Sequence, residues 1–364
     1  MSVQVSYKKQ FVVGILLLII LLSVIEVFLR VYDYYQPNCV FMKSSLYSEI
    51  DVELQRSICL DNDDLKWEDY PFLHLIPNQH LTTINVNEYG FRGNEISIQK
   101  PENTYRIFIV GGSTTFGVGA TSDSETIPGY LQNIYDSSTS DFKVQVINAG
   151  IPKGYSFTET YLIKNQILDF DPDLIIVYDG WNDISRSYDA FEEDIDSKLT
   201  DKILRAFQKN DFYKTGKILQ KIYFNWRNSG DSAISKFDDA DIDKKVSYWK
   251  TQWSEICELG KKNGFDVIVT LQPLVGTGNK KLTEEEMKYY KRYDHVALVS
   301  NYQAYAEALH DLEHGCTKVA DLRGSFDDVS TTLFFDSGHT SNEGNFIVAN
   351  KLYELSSSTV QIQK

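Results

Sequence analysis

Residues 106–115 read Arg-Ile-Phe-Ile-Val-Gly-Gly-Ser-Thr-Thr: four apolar residues in a row, halted by two glycines and a serine. A short apolar run bounded by a turn signal fits a strand covered on both faces, as parallel strands are. The same signature recurs at 144–148, 174–178 and 267–271, and in a shorter form, interrupted by Asp321, at 319–322. Helical stretches lie between them, among them 126–135 and 158–168. Alternating strands and helices predict a doubly wound α/β domain with a five-stranded parallel sheet.

Around that frame the chain divides further. Val246, Trp249, Trp253, Ile256 and Gly260 recur at helical spacing, with Lys261, Lys262 and Gly264 closing the helix. The Trp pair reads as core packing. Residues 272–280 form a Gly-rich loop, after which Thr283 and Glu286 make a capping box for one long helix to about Leu312. The stretch 184–243, rich in Lys, Asp and aromatics, reads as a helical insertion, and its acidic run Glu192-Glu193-Asp194 as solvated surface. Residues 30–104 are aromatic and polar, with weak periodicity. They read as a stalk or collar, in which 87–93 is a turn carrying a buried Phe91.

The N-terminus has its own logic. Residues 11–25 are uncharged, and after Glu26 the apolar run continues through Leu29. Residues 11–29 as a helix span roughly 28 Å, close to a bilayer core of about 30 Å. No small-x-small cleavage site follows, so the segment reads as an uncleaved anchor. Lys8 and Lys9 before it, against Arg30 after it, place residues 1–10 in the cytoplasm and the domain at 105–364 outside.

Composition excludes some functions. With 51 acidic against 36 basic residues the formal charge is −15, which disfavours nucleic acid as a partner. The four cysteines show no CxxC and no Cys/His cluster, so neither a zinc site nor any other metal or cofactor is expected. An external domain allows a Cys39–Cys59 disulfide. Cys257 and Cys316 fit buried thiols.

The chemistry lies at strand ends, where open parallel sheets bind ligands. The first strand runs into Gly111-Gly112-Ser113, the second into Asn148-Ala149-Gly150, the third into Gly180-Trp181-Asn182-Asp183. After the fifth comes Asp336-Ser337-Gly338-His339. A serine hydroxyl needs a base to take its proton. His339 fits that role, with Asp336 fixing its tautomer. The Ser113 and Gly150 N–H groups and the Asn182 amide are candidate oxyanion donors. Thr340 and Glu343 form a second capping box, which would hold His339 at the start of the last helix. That helix start disfavours imidazolium and Asp336 favours it, leaving a working base. Asp179 and Asp183 read as turn and capping residues. Trp181 lines the pocket or packs on the sheet, and Phe116, Tyr155 and Gln272 are candidate substrate contacts.

These four blocks resemble those of the SGNH (GDSL-type) hydrolase superfamily over about 105–355. The Gly-x-Asn-Asp and Asp-x-x-His blocks carry most of the likeness. The resemblance implies a flavodoxin-like three-layer α/β/α fold and an acylated small molecule or glycan as substrate. It implies either ester hydrolysis or acyl transfer to a surface polysaccharide; a non-catalytic glycan-binding protein on the same fold is the alternative from another class. The first block reads Gly-Gly-Ser-Thr-Thr rather than Gly-Asp-Ser-Leu, a departure from the lipase branch. Ser113 also lacks the Gly-x-Ser-x-Gly elbow of α/β-hydrolases.

Overall fold

A computed structural model describes residues 6–35, 39–68, 73–138, 142–186 and 241–362, together with Gly216. Most of the insertion expected at 184–243, including its acidic run, lies outside the described residues. Helix α1 (Tyr7–Tyr35) and Gly216 belong to one compact unit; the rest of the described structure, from Cys39 onward, belongs to a second. α1 is long and apolar enough to cross a membrane, and Phe11, Leu17, Ile20 and Val24 along it are exposed. Its Glu26 is met one turn on by Arg30, at 2.8 Å.

The second unit opens with single turns of 3₁₀-helix at Phe41–Lys43 and Ser45–Tyr47 and with α2 (Val52–Asp64), which Asp51 caps. Two small antiparallel pairs follow. They are β1 (Trp67–Glu68) with β2 (His74–Leu75), and β3 (Gln79–His80) with β4 (Asn85–Val86). The 87–93 turn forms as expected: Asn87 Oδ1 accepts from the Tyr89 and Phe91 amides, and Phe91 is buried. A Cys39–Cys59 disulfide ties the ends of the first segment.

The central sheet contains β5 (Thr104–Gly111), β6 (Lys143–Gly150), β7 (Leu174–Asp179), β8 (Asp266–Leu271) and β9 (Lys318–Asp321). The order is β6-β5-β7-β8-β9 and every pair is parallel. This is the flavodoxin-like order. Strand periodicity sorts the side chains into two cores. Ile107, Ile109, Leu174 and Ile176 face α4 (Ile127–Ser137) and α10 (Asn342–Ile362). Phe108, Val110, Ile175 and Val177 face α5 (Ser156–Asn165), α7 (Ile242–Asn263) and α9 (Tyr293–His310). The result is three layers, α/β/α.

Trp249 and Trp253 are fully buried in the second core, as their spacing predicts, and truncating either would cost about 3–5 kcal/mol. Gly264 ends α7 in the left-handed region (φ 82°). Two expectations need correction. Cys257 and Cys316 are not free thiols but a disulfide across 59 residues, worth about 4 kcal/mol on the chain-entropy account. And the helix expected to run on to Leu312 breaks once. The Thr283–Glu286 capping box starts α8 (Glu284–Tyr290), but the chain leaves the helix at Arg292, whose backbone is extended, before α9 begins.

Candidate active site

The chain steps from β5 to β6 on one side and returns to β7 on the other, so the switch point lies between β5 and β7. Both carry site residues at their carboxyl ends. Ser113 opens the short helix α3 (Ser113–Phe116) two residues after β5, and Trp181 opens α6 (Trp181–Ser185) two residues after β7. The register sets Gly111 beside Gly150 and Tyr178, so the strands end level.

His339 Nε2 lies 2.7 Å from Ser113 Oγ, and His339 Nδ1 lies 2.7 Å from Asp336 Oδ2. With Asp336 accepting from Nδ1–H, Nε2 is the acceptor for the serine hydroxyl. Asp336 also shapes the turn: its Oδ1 accepts from the Gly338 and His339 amides at 2.9 and 2.8 Å. Burial pushes this carboxyl up, but the His339 charge and hydrogen bond and the two amides outweigh burial and hold it below the usual carboxylate range.

The turn is braced from several sides. The Val275 amide donates to Ser337 O at 3.1 Å. Phe335 stacks on the His339 ring at 5.6 Å, and Trp181 meets that ring edge-on at 5.0 Å. Tyr47, from the 3₁₀ turn at Ser45–Tyr47, packs against Phe335 at 5.7 Å. The lead-in is held by Glu286, which also completes the Thr283 capping box. Its Oε1 accepts from the Leu333 and Phe334 amides, and buried Lys280 binds both its Oε2 and Thr331 O. Burial raises Glu286, but the Leu333 and Thr283 amides and Lys280 outweigh it and lower it.

Three expectations about the site change. Gly150 is not an open donor, because its N–H is taken by Asn148 Oδ1 at 3.0 Å. A Cβ there would collide with the Phe116 and Thr115 backbone, so Gly150 serves the close approach of α3 to β6. The Thr340–Glu343 capping box does not form. Thr340 is bridged to Phe334 and bonded to Asn345, and Ser341 occupies the cap position instead. His339 therefore lies ahead of the helix cap, outside its first turn. Phe116, Tyr155 and Gln272 are buried, with Gln272 accepting from Thr114 Oγ1 at 3.2 Å, so none of them forms an exposed wall of the site.

Asn182 lies against Gly112, the residue before Ser113. Its Nδ2 donates to Gly154 O at 2.6 Å, leaving a second amide N–H for another acceptor. The approach depends on glycine: a Cβ on Gly112 would stand 2.5 Å from Asn182 Nδ2. Gly154 lies four residues beyond the end of β6, and nothing in its sequence position signals this contact. The Ser113 N–H sits in the first turn of α3, where helix geometry provides no acceptor. Trp181, half-exposed, forms the wall beside His339.

Behind α6 lies a second set of carboxyls. Asp179, Asp183 and Glu159 are all fully buried. Asp179 accepts from Trp249 Nε1 at 3.1 Å. Asp183 accepts from the Ser156 amide at 3.0 Å and from Ser156 Oγ, so it does act as a cap, though on α5 and from within the core. Neither oxygen of Glu159 has a hydrogen-bond partner among the described residues. Burial pushes all three up, Asp183 to about 6; for Glu159 the charges of Asp179 and Asp183 add to the effect.

No family model matches this sequence, and neither does any curated protein. Solved structures do. The acetyl xylan esterase AlAXEase is 15% identical, with a TM-score of 0.42 over 69% of this chain and 98% of that chain. Axe2, an acetylxylan esterase from Geobacillus stearothermophilus, is 12% identical, with a TM-score of 0.41 over 69% of this chain and 93% of that one. A protein from Desulfitobacterium hafniense DCB-2 attributed to the G-D-S-L lipolytic family is 12% identical, with a TM-score of 0.40 over 69% and 98%.

Proposed function

We propose that the protein is a membrane-anchored serine esterase of the SGNH type, acting on acylated small molecules or glycans outside the cytoplasm. The observation that carries this reading is the unbroken row from Ser113 Oγ through the His339 ring to Asp336, at 2.7 Å on each side. In the mechanism, Ser113 Oγ attacks the ester carbonyl as Nε2 takes its proton. Asp336 stabilises the resulting imidazolium. The Ser113 N–H and the free N–H of Asn182 meet the oxyanion. His339 then returns the proton to the leaving alcohol, and water repeats the sequence on the acyl-serine.

The test is hydrolysis of p-nitrophenyl acetate by the full chain and by Ser113→Ala. The variant should lose at least about 10³-fold in rate, with residual catalysis from the oxyanion donors. A variant with normal rates would remove the mechanism. Acetylated sugar formed in place of free acetate, with an added glycan acceptor, would reassign the enzyme to acyl transfer.

In this reading α1 is an uncleaved anchor. Two disulfides among the described residues fit an oxidising compartment. Protease added to spheroplasts should remove the domain and leave a small membrane stub. A protected domain would reverse the orientation, and a mature chain beginning after Arg30 would make the segment a signal peptide.

A further inference from the structure

Asn182 and Asp183 are adjacent in sequence and point opposite ways. Asn182 lies against Gly112, the residue before Ser113, and its amide donates to Gly154 O at 2.6 Å. Asp183 turns into the core and holds Ser156 by two donors, the amide at 3.0 Å and the hydroxyl. The first turn of α6 is thus stitched twice to residues 154–156, once from each side. Glu159 backs the same turn: its Oε1 lies 3.3 Å from where a Cβ on Gly154 would stand.

We propose that Asp183 is a positioning residue for the reaction, fixing the 154–156 turn through Ser156 and so aiming the Asn182 amide beside Ser113. The proposal rests on the esterase reading above. A simple helix cap would not call for this arrangement. An N-cap side chain bonds the amides of its own helix's first turn, whereas Asp183 lies on α6 and bonds Ser156 at the start of α5. Here a carboxylate is fully buried next to Asp179 and Glu159, at the desolvation cost such a group always carries. Local rules broken in this way mark sites where geometry is held for function.

A double-mutant cycle on the full chain in detergent, with p-nitrophenyl acetate as probe, tests the idea. Asp183→Asn keeps the shape but presents an amide group to the Ser156 donors. It should lower kcat by about tenfold or more and leave KM within about twofold, since the affected interaction belongs to the transition state. In an Asn182→Ala background the same change should cost under about twofold, because no amide is left to aim. Ser156→Ala should repeat the pattern more weakly, the amide bond to Asp183 remaining; it carries the cycle if Asp183→Asn does not fold. Equal losses in both backgrounds, or a lower melting temperature with unchanged kcat, would make Asp183 a structural cap and overturn the proposal. A full chain that does not hydrolyse the ester, or an Asn182→Ala variant with normal kcat, would instead remove the reading on which the proposal rests.

Discussion

Asp336 on one side and the buried carboxyls of Asp179, Asp183 and Glu159 on the other are driven in opposite directions by their surroundings. Asp336 faces a largely buried histidine and two backbone amides, and it is held below the usual carboxylate range. Asp179, Asp183 and Glu159 lie within the core, close to one another, and burial pushes all three upward. The residue types are nearly the same. What differs is whether donors and positive charge offset the loss of water. Asp336 is therefore suited to carry charge during a reaction, and the rear carboxyls to hold shape.

If the front group of Ser113, His339 and Asp336 works as one unit, its members should fail together. His339→Ala should be nearly as inactive as Ser113→Ala, and the double variant no worse than either. Losses that multiply instead would separate the two residues and end the shared mechanism. Asp336→Asn should be milder than His339→Ala by roughly 10–100-fold, because the imidazole remains but its tautomer is no longer fixed. An Asp336→Asn enzyme as inactive as His339→Ala would give the carboxylate a larger part than orientation.

Asn182 sits on the seam between the two groups, so its loss should be intermediate. Asn182→Ala removes a donor aimed at charge that develops only in the transition state, which typically costs about 10²–10³ in kcat. A change confined to KM would mean that the amide holds Gly154 O and nothing more.

The front group was largely legible in the sequence; the rear group was not. Ser113, Asn182, Asp336 and His339 announce themselves by residue type and by place after apolar strands, because a parallel sheet fixes where strand ends go. Gly150 misled because the fate of a backbone N–H depends on a neighbouring side chain. Asn148 folds back to take it. Thr340 misled in the same way: a bridge to Phe334 holds it out of the cap that its spacing with Glu343 suggests. Asp179, Asp183 and Glu159 look like ordinary turn and helix residues until α7 and α9 close over them. The Cys257–Cys316 bond likewise joins positions that only the packed sheet brings together. α2 went unseen because its apolar stripe is thin, with Ile58 and Cys59 its only buried apolar residues.

The smallest effect bears on the rear group alone, and it separates the two by sign. A carboxyl whose folded value is raised keeps a proton that the unfolded chain has already released. Folding stability is then lost as pH climbs from the ordinary glutamate range toward the folded value. Glu159 is in this position, facing Asp179 on β7, Asp183 on α6, and no hydrogen-bond donor among the described residues. Arg186, after α6, acts on Asp183, and Tyr305 on α9 feels both aspartates. Glu159→Gln keeps the shape of the protonated acid and cannot ionise. Its melting temperature should match the parent near pH 4, then exceed it by a few degrees near pH 8, since about 1 kcal/mol moves a domain of this size by roughly 2–4 °C. Asp336 works the other way: its contribution is present above the ordinary carboxylate range and is lost as pH falls through its lowered value. Parent and variant should therefore decline together on the acid side. Parallel melting curves across the whole range would mean that Glu159 ionises at no cost, and the contrast between the two carboxyl groups would no longer hold.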